Sequence, residues 1–444
     1  MAMFHTADEV KQWLLDKGKY TIKPGLERIG WMMEKLGHPE RNLRAVHVGG
    51  TNGKGSTVAF LRSIFTAAGL ETGTFTSPSF ETIKDRICFD GKPISDEEFV
   101  AAANAIAPLA ESLEKSPVGG ATFFETLTAM AIYTFTRIHP VDVAIFEVGL
   151  GGRLDSTNVI IPLLSIITNV GHDHMHILGP TIEKVAEEKA GIIKNGVPVI
   201  TCSTDERALS VFRTVAKEKR ASLYEYGKQF RAIDLGPADL KECFTVETFL
   251  ENFEYLQSPL LGAHQLANAS GAVMAAILLK HFYSFPLERD HIVVGIAEAR
   301  WPGRFEVLSL APAVVIDGAH NPEGIRAFTD TLKRHFPDTD GTILFTAFKD
   351  KQTEPMIKML EETGLELMIT EMEGMRAAKA EDLYNQSGSP KKRLVKDWKH
   401  FLSNKIPEMN RKDALFVTGS LHFISEVKPY LVQLLFFSEK ENDL

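Results

Sequence analysis

Short apolar runs alternate with longer helical patterns along most of this chain. The run "LRAVHV" (43–48) reads as a buried strand, and "STVAFLRSIFTAAG" (56–69) reads as the helix after it, ending at Gly69. Further buried strands are predicted at "VDVAIFEV" (141–148), "LLSIITNV" (163–170) and "GVPVIT" (196–201), with a helix at "TIEKVAEEKAGIIK" (181–194) between the last two. A second series follows "ARWPGRFEVL" (299–308). It predicts strands at "AVVID" (313–317), "GTILFTAF" (341–348), "LELMIT" (365–370) and "ALFVTG" (414–419), and a helix at "NPEGIRAFTDTLKRHF" (321–336). Alternation of this kind argues for mainly parallel sheets covered on both faces. The turn residues "WPG" place a domain boundary near Arg300, dividing the chain into 1–298 and 299–444. No internal repeat or low-complexity tract stands out, and no pattern assigns the segment 221–260.

Composition narrows the class. The 444 residues are 44% hydrophobic and 24% charged, a globular composition long enough for two or three domains. The net charge of -9 and the lack of a long basic stretch argue against nucleic acid as a partner, and leave room for a small acidic substrate. Cys88, Cys202 and Cys243 are far apart and form no C-x-x-C pair, so neither a zinc knuckle nor a disulfide framework is suggested, which fits a reducing cytosol. The opening "MAMFHTADEVKQWLLDKG" carries charges early and has no signal-peptide core, and no apolar run approaches a membrane span.

Candidate chemistry begins with "VHVGGTNGKGST" (46–57). It departs from the common phosphate loop G-x-x-x-x-G-K-[ST]: Gly55 follows Lys54, and the hydroxyl comes one place late, at Ser56. Its context, after a strand and before a helix, is nevertheless the one a phosphate loop requires. Glycines let backbone N–H groups turn inward, and the helix N-terminus adds partial positive charge. Lys54 would reach the β- and γ-phosphates, while Ser56 or Thr57 could cap the helix or face a metal. An ordinary glycine-rich turn is the weaker reading. In "VDVAIFEVGLGGRLDSTNV" (141–159), Glu147 ends an apolar strand, from where an acid can hold magnesium beside a nucleotide. A dinucleotide fingerprint beginning at Gly149 and Gly151 fails at Leu154, where the third glycine should stand. The histidines of "TNVGHDHMH" (168–176) match no zinc spacing, and an ordinary loop histidine held by hydrogen bonds stays open for each. Lys189, in "EEKAGIIK" (187–194), reads by spacing alone as a surface ion-pair partner. In "VVIDGAHNP" (314–322) a polar cluster sits at a strand's carboxyl end, where open α/β sheets bind ligands, with Asn321 and Pro322 as a helix start.

Taken in order, these motifs resemble the folylpolyglutamate synthase/dihydrofolate synthase family of the Mur ligase superfamily. The resemblance is carried by "HVGGTNGKGST", "TSP" (76–78), "TFFETLTAMA" (122–131), "FEVGLGGRLDSTNV", "ITNVGHDHMHILG", "EEKAGIIK", "HQLANA" (264–269), "PGRFE" and "DGAHNP". The stretches "GLERIGWMMEKLGHPE" (25–40), "TAFKDK" (346–351) and "VTGSLHFISEV" (417–427) extend it toward both ends. It implies an α/β protein with an N-terminal P-loop ATPase domain over 1–298 and a smaller C-terminal Rossmann-like ligase domain over 299–444. It further implies an ATP-dependent ligase, monomeric and cytoplasmic, that phosphorylates a carboxylate of a pteroate or folate and transfers the acyl group to L-glutamate. By position, Gly50, Thr51, Asn52, Gly53, Lys54, Gly55, Ser56, Thr57, Asn268, Arg304 and Asp317 would bind ATP. Ser77, Glu147 and His174 would ligate magnesium. A carbamylated Lys189 would hold a second ion, making a two-metal clamp possible. Histidine is an unusual ligand for magnesium, so His174 rests on the resemblance alone. His320 would face the acyl phosphate and join Lys54 and Lys189 as a catalytic residue. Phe123, Phe124, Glu125, Leu154, Asp155 and Ser156 would line the pterin side.

One departure stands out. The family reads T-S-P-H-L after its second strand, whereas this chain reads "TSPSF", with Ser79 and Phe80. Two other readings compete: a Mur-type cell-wall amino-acid ligase, and a nucleotide switch without ligase activity. The loop form and "GGRLDSTN" favour the folate branch over the first. Against a guanine switch, the only Asn-Lys pair, in "NKIP" (404–407), has Pro407 where an acid should stand.

Overall fold

The computed structural model describes residues 3–18, 23–337 and 339–442, with the side chains of residue 176 and residues 437–442 outside the description. Eight strands build the first sheet: β1 Ala45–Gly49, β2 Thr72–Phe75, β3 Ile87–Phe89, β4 Lys92–Pro93, β5 Val143–Glu147, β6 Leu164–Ile167, β7 Val199–Thr201 and β8 Leu223–Glu225. Their order is β4-β3-β2-β5-β1-β6-β7-β8. The six strands from β2 to β8 in that order are parallel, and β3 and β4 form an antiparallel edge. Every residue of β1, β2, β5, β6 and β7 is buried, as a parallel sheet covered on both faces demands. One apolar cluster gathers Phe75, Phe99, Phe135 and Phe146; another gathers Val148, Ile167, Ile192 and Phe212.

The unassigned segment 221–260 folds into β8 and a three-stranded sheet of β9 Phe230–Ala238, β10 Lys241–Thr248 and β11 Asn252–Ser258. Asp239 and Leu240 both take positive φ between β9 and β10, the geometry of a tight hairpin turn. Asp239 suits such a turn, but Leu240 stands where a glycine usually follows, so the hairpin left only a weak signal in the sequence.

A six-stranded sheet comprises β12 Glu306–Leu310, β13 Ala313–Ile316, β14 Gly341–Phe345, β15 Glu366–Thr370, β16 Lys392–Val395 and β17 Ala414–Thr418, in the order β12-β13-β17-β14-β15-β16. All its pairs are parallel except the edge pair β12–β13. The chain divides into two compact units. The first holds residues 1–234, 244–257 and 266–299; the second holds 235–243, 258–265 and 300–444. Both are α/β, each around its own mainly parallel sheet.

Candidate functional site

Three neighbouring parallel strands end together in the first unit. Val48 of β1 stands beside Glu147 of β5, and Gly49 stands beside Ile167 of β6. The loop leaving β1 is clamped from the β6 side. Thr168 donates from Oγ1 to Asn52 O at 2.6 Å. The side-chain carbonyl of Asn169 accepts from Thr51 N and Asn52 N, and the Asn169 backbone carbonyl accepts from Thr51 N at 3.1 Å. Thr51 Oγ1 accepts in turn from Gly171 N at 2.9 Å. Lys54 curls back so that Nζ donates to Gly50 O and Thr51 O, at 3.1 and 3.0 Å.

The helix after the loop runs Lys54–Ala67, starting earlier than its apolar pattern suggested. Ser56 and Thr57 therefore lie buried in the first turn and do not cap it. Gly53 takes the cap position at φ 83, and Thr57 Oγ1 donates back to Gly53 O at 3.0 Å. A Cβ on Gly53 would stand 2.4 Å from Asn268 Oδ1, so glycine is required by both conformation and contact. Asn268, named from the sequence, is thus set against the loop in the same unit.

Glu147 is buried at the end of β5 and accepts from Ser77 N at 3.1 Å, which brings the Ser77 residue beside a carboxylate. His174 has positive φ and heads the short helix Met175–Leu178. Its Nε2 lies 3.8 Å from Asp173 Oδ1. Lys189 is no surface partner. It is buried on the helix Ile182–Ala190, and burial pushes its ammonium down to about 7. The Lys54 charge pushes the same way, and Asp173 opposes it. Among the described residues no group of three or more His, Cys, Asp and Glu side chains is placed to hold a metal ion. The set named from the sequence therefore depends on a hydroxyl and a modified lysine. The hydroxyl and carboxylate oxygens of Ser77 and Glu147 are the hard donors that magnesium prefers.

The glycines of "GLGGRLDSTN" do a packing job. A Cβ on Gly152 would meet Glu188 O at 2.8 Å and Lys189 Cα at 3.2 Å. Arg153 N donates to Glu188 O, and Asn158 Nδ2 donates to Gly191 O. The loop is stitched to the helix that carries Lys189. Leu154 is exposed, Asp155 and Ser156 are buried, and Ser156 Oγ shares a 2.7 Å hydrogen bond with Thr128 Oγ1. Phe123 and Phe124 open the helix Phe123–Tyr133, with Phe124 against Phe75 at 5.5 Å between ring centres. Glu125 is engaged inward, accepting from Thr122 N at 2.8 Å and from Arg28 Nε at 2.9 and 3.0 Å. Its carboxylate anchors the helix start.

In the second unit, Asp317 is buried at the end of β13 and accepts from Phe305 N and Ala319 N at 2.7 and 2.8 Å. Burial raises its carboxyl above the ordinary range, against the pull of Arg304 and those two bonds. His320 Nδ1 donates to Gly318 O at 2.8 Å, which directs the other ring nitrogen away from that carbonyl. Asn321 caps the helix Pro322–His335 by accepting from Gly324 N.

Sequence reasoning missed Thr168 and Asn169, which follow β6 beside the loop, and a buried histidine, His47, inside β1. The polar pair at the carboxyl end of a neighbouring strand was a usable signal. A histidine inside an apolar strand was another.

Residues 48–276 match the Mur ligase middle domain, and residues 303–421 match the Mur ligase glutamate ligase domain. The chain is 41% identical over 432 residues to the dihydrofolate synthase/folylpolyglutamate synthase of Bacillus subtilis, covering 97% of this chain and all of that protein. It is 30% identical to the enzyme of the same description from Escherichia coli, over 92% of this chain and 91% of that protein. The crystal structure of a folylpolyglutamate synthase from Thermotoga maritima matches with TM-score 0.83 and 32% identity, over 96% of both chains. The structure of E. coli FolC in complex with DHPP and ADP matches with TM-score 0.86 and 27% identity, over 96% of this chain and 97% of that one.

Proposed function

The chain belongs to the folylpolyglutamate synthase/dihydrofolate synthase family of Mur ligases, and we propose that it is an ATP-dependent ligase joining L-glutamate to a dihydropteroate or folate carboxylate. One observation carries this reading. At the carboxyl ends of β5, β1 and β6 lie a clamped Gly-Lys loop and a buried carboxylate, Glu147, and the Lys54 charge is felt at a buried Lys189 whose ammonium is pushed down to about 7.

A carboxylate is a poor electrophile at neutral pH, and phosphorylation supplies the leaving group it lacks. A substrate carboxylate oxygen attacks the γ-phosphorus, the bond to the β-bridging oxygen breaks, and ADP leaves. The amine of glutamate, having lost a proton, attacks the acyl carbon. The C–O bond to phosphate then breaks, giving an amide and inorganic phosphate. Catalysis of such a transfer is mostly positioning and charge stabilisation.

This chain's own groups fit that task. The loop from Gly50 to Thr57 and the start of the helix Lys54–Ala67 would cradle the phosphates, with Asn169 holding the Thr51 and Asn52 amides in place. Lys54 leaves Gly50 O and Thr51 O to pair with them. Ser77 and Glu147 offer hard oxygen donors for magnesium, with His174 as a further ligand on the family resemblance. Magnesium, when bound, neutralises phosphate charge. The Thr57 hydroxyl is held by Gly53 O, which argues against Thr57 as the hydroxyl ligand, and we assign that place to Ser77. A lysine poised near 7 is largely available as the neutral amine that adds to carbon dioxide, which supports carbamylation of Lys189 and a second metal position. We assign Asn268, Arg304 and Asp317 to ATP, and His320 to the acyl phosphate. Phe123, Phe124, Glu125, Leu154, Asp155 and Ser156 are assigned to the pterin side, and the protein acts as a monomer.

The test offers dihydropteroate and tetrahydrofolate separately, each with glutamate and MgATP, and measures ADP release and product mass. ADP release that needs both glutamate and a pteridine substrate, with a product heavier by one glutamyl residue, is expected. Equal ATP turnover with neither substrate would overturn the reading.

A further inference from the structure

An imidazole in the middle of a parallel sheet needs a reason, because burying a polar ring without partners is costly. His47 lies fully buried in β1, one residue before the glycine-rich loop's leading Val48. Its Nε2 is 2.9 Å from Thr157 Oγ1, and its Nδ1 is buried with no hydrogen-bond partner. Thr157 is itself fully buried, and its Oγ1 lies 2.5 Å from Asp155 Oδ1. Further bonds to that carboxylate come from backbone N–H groups: Thr157 N to Oδ1 at 3.0 Å, Leu150 N to Oδ2 at 2.9 Å, and the Gly149 amide.

With Asp155 ionised, these contacts set the direction of every proton in the chain. Backbone N–H groups can only donate, so both oxygens of Asp155 are acceptors. The single Thr157 hydroxyl proton goes to Asp155, leaving Thr157 Oγ1 to accept. His47 must then donate from Nε2, and Nδ1 is the bare nitrogen. The opposite polarity needs a protonated Asp155 and a proton on Nδ1, which would strand a buried N–H with no acceptor.

We propose that His47 and Thr157 are positioning residues for the pteridine substrate, forming a one-directional hydrogen-bond relay that holds Asp155 as an ionised acceptor. The inference rests on the assignment of Asp155 to the pterin side. It ties the strand that leads into the nucleotide loop to the group that receives the substrate's ring. Burial raises the Asp155 carboxyl, and bonds from Thr157, Leu150 and Gly149 pull against that rise. The same burial, with the Lys194 charge, holds His47 down to about 3, so its ring stays neutral throughout the working range. The Thr157 hydroxyl is therefore the adjustable element.

Steady-state kinetics on the full chain test this, with the pteridine substrate and ATP varied separately. Thr157→Val should raise the pteridine KM about tenfold, the worth of one hydrogen bond to a charged group, and leave the ATP KM close to its starting value. It should also move the acid limb of the kcat/KM profile for pteridine to higher pH, because an unsupported Asp155 protonates earlier. Thr157→Ser should restore both. His47→Gln, which keeps a donor near the Nε2 position, should fall between the wild type and His47→Leu. Ring 15N shifts of His47 in the unmodified protein should show Nε2–H; an Nδ1–H tautomer overturns the relay even if variants fail to fold. Asp155→Asn separates the two levels. If it raises the pteridine KM and Thr157→Val does not, the relay is wrong and the site stands. If it leaves the pteridine KM unchanged, the assignment of Asp155 falls and the relay falls with it.

Discussion

The side-chain carbonyl of Asn169 accepts from the amides of both Thr51 and Asn52, at 3.2 and 2.8 Å. One side chain after β6 thereby sets the backbone of the loop after β1. The arrangement pre-forms a loop that would otherwise be ordered at the moment of nucleotide binding, at a cost in affinity.

Asn169→Ala should therefore weaken ATP more than it slows the chemistry. Thr51 N keeps the Asn169 backbone carbonyl, so the loss falls chiefly on Asn52. About 1 kcal/mol for one hydrogen bond corresponds to roughly a fivefold rise in ATP KM. Asn169→Asp keeps an acceptor and adds a negative charge beside the expected phosphates. It should bind ATP worse than Asn169→Ala, in spite of the better-held loop. Calorimetric binding of ADP and an ATP analogue reads this directly; an aspartate variant that binds as tightly as the wild type would count against a phosphate site in this loop.

Lys189 yields a prediction in pH. Its ammonium is pushed down to about 7, first by burial and then by Lys54. The folded state thus prefers the neutral amine, and the unfolded chain binds the extra proton. Stability contributed at this position rises with pH from about 7 up to the ordinary lysine range, is lost again as pH falls back to about 7, and changes no further below that. Carbamate formation needs the neutral amine and runs in the same direction. Activity should fall in carbon-dioxide-depleted buffer and recover with bicarbonate. Lys189→Ala should be nearly inactive and partly rescued by short carboxylates. Full activity of Lys189→Ala, or no rescue, would remove the carbamate from the mechanism.

Much of this architecture was legible because the strands that carry the site are wholly buried and read as continuous apolar runs. The runs 141–148, 43–48 and 163–170 announced three parallel strands, and Glu147 with the Gly-Lys loop announced the candidate site, whereas Thr168 and Asn169 went unread. The hairpin at Asp239 and Leu240 was hidden because leucine stands where a glycine usually follows the aspartate. The environment of Lys189 was hidden too. In sequence two acids directly precede it, yet in the fold Gly152 and Arg153 pack over its helix and close it from water. The Glu125 carboxylate is held by Arg28, a partner 97 residues away that no local pattern reveals.

That pair supports the last prediction. Arg28 Nε reaches Glu125 at 2.9 Å with both side chains nearly buried, and Arg28 Nη2 also donates to Lys23 O at 2.7 Å. Removing one member strands the other's charge in a region of low dielectric. Arg28→Ala should cost about 3 kcal/mol in the urea transition of the first unit, whereas replacing both residues with methionine should cost less than the single change. The helix Phe123–Tyr133 starts at this pair and presents Phe124, so the pteridine KM of Arg28→Ala should rise while the ATP KM moves less. A loss below about 1 kcal/mol would place the pair with ordinary surface bridges and detach Arg28 from the substrate side.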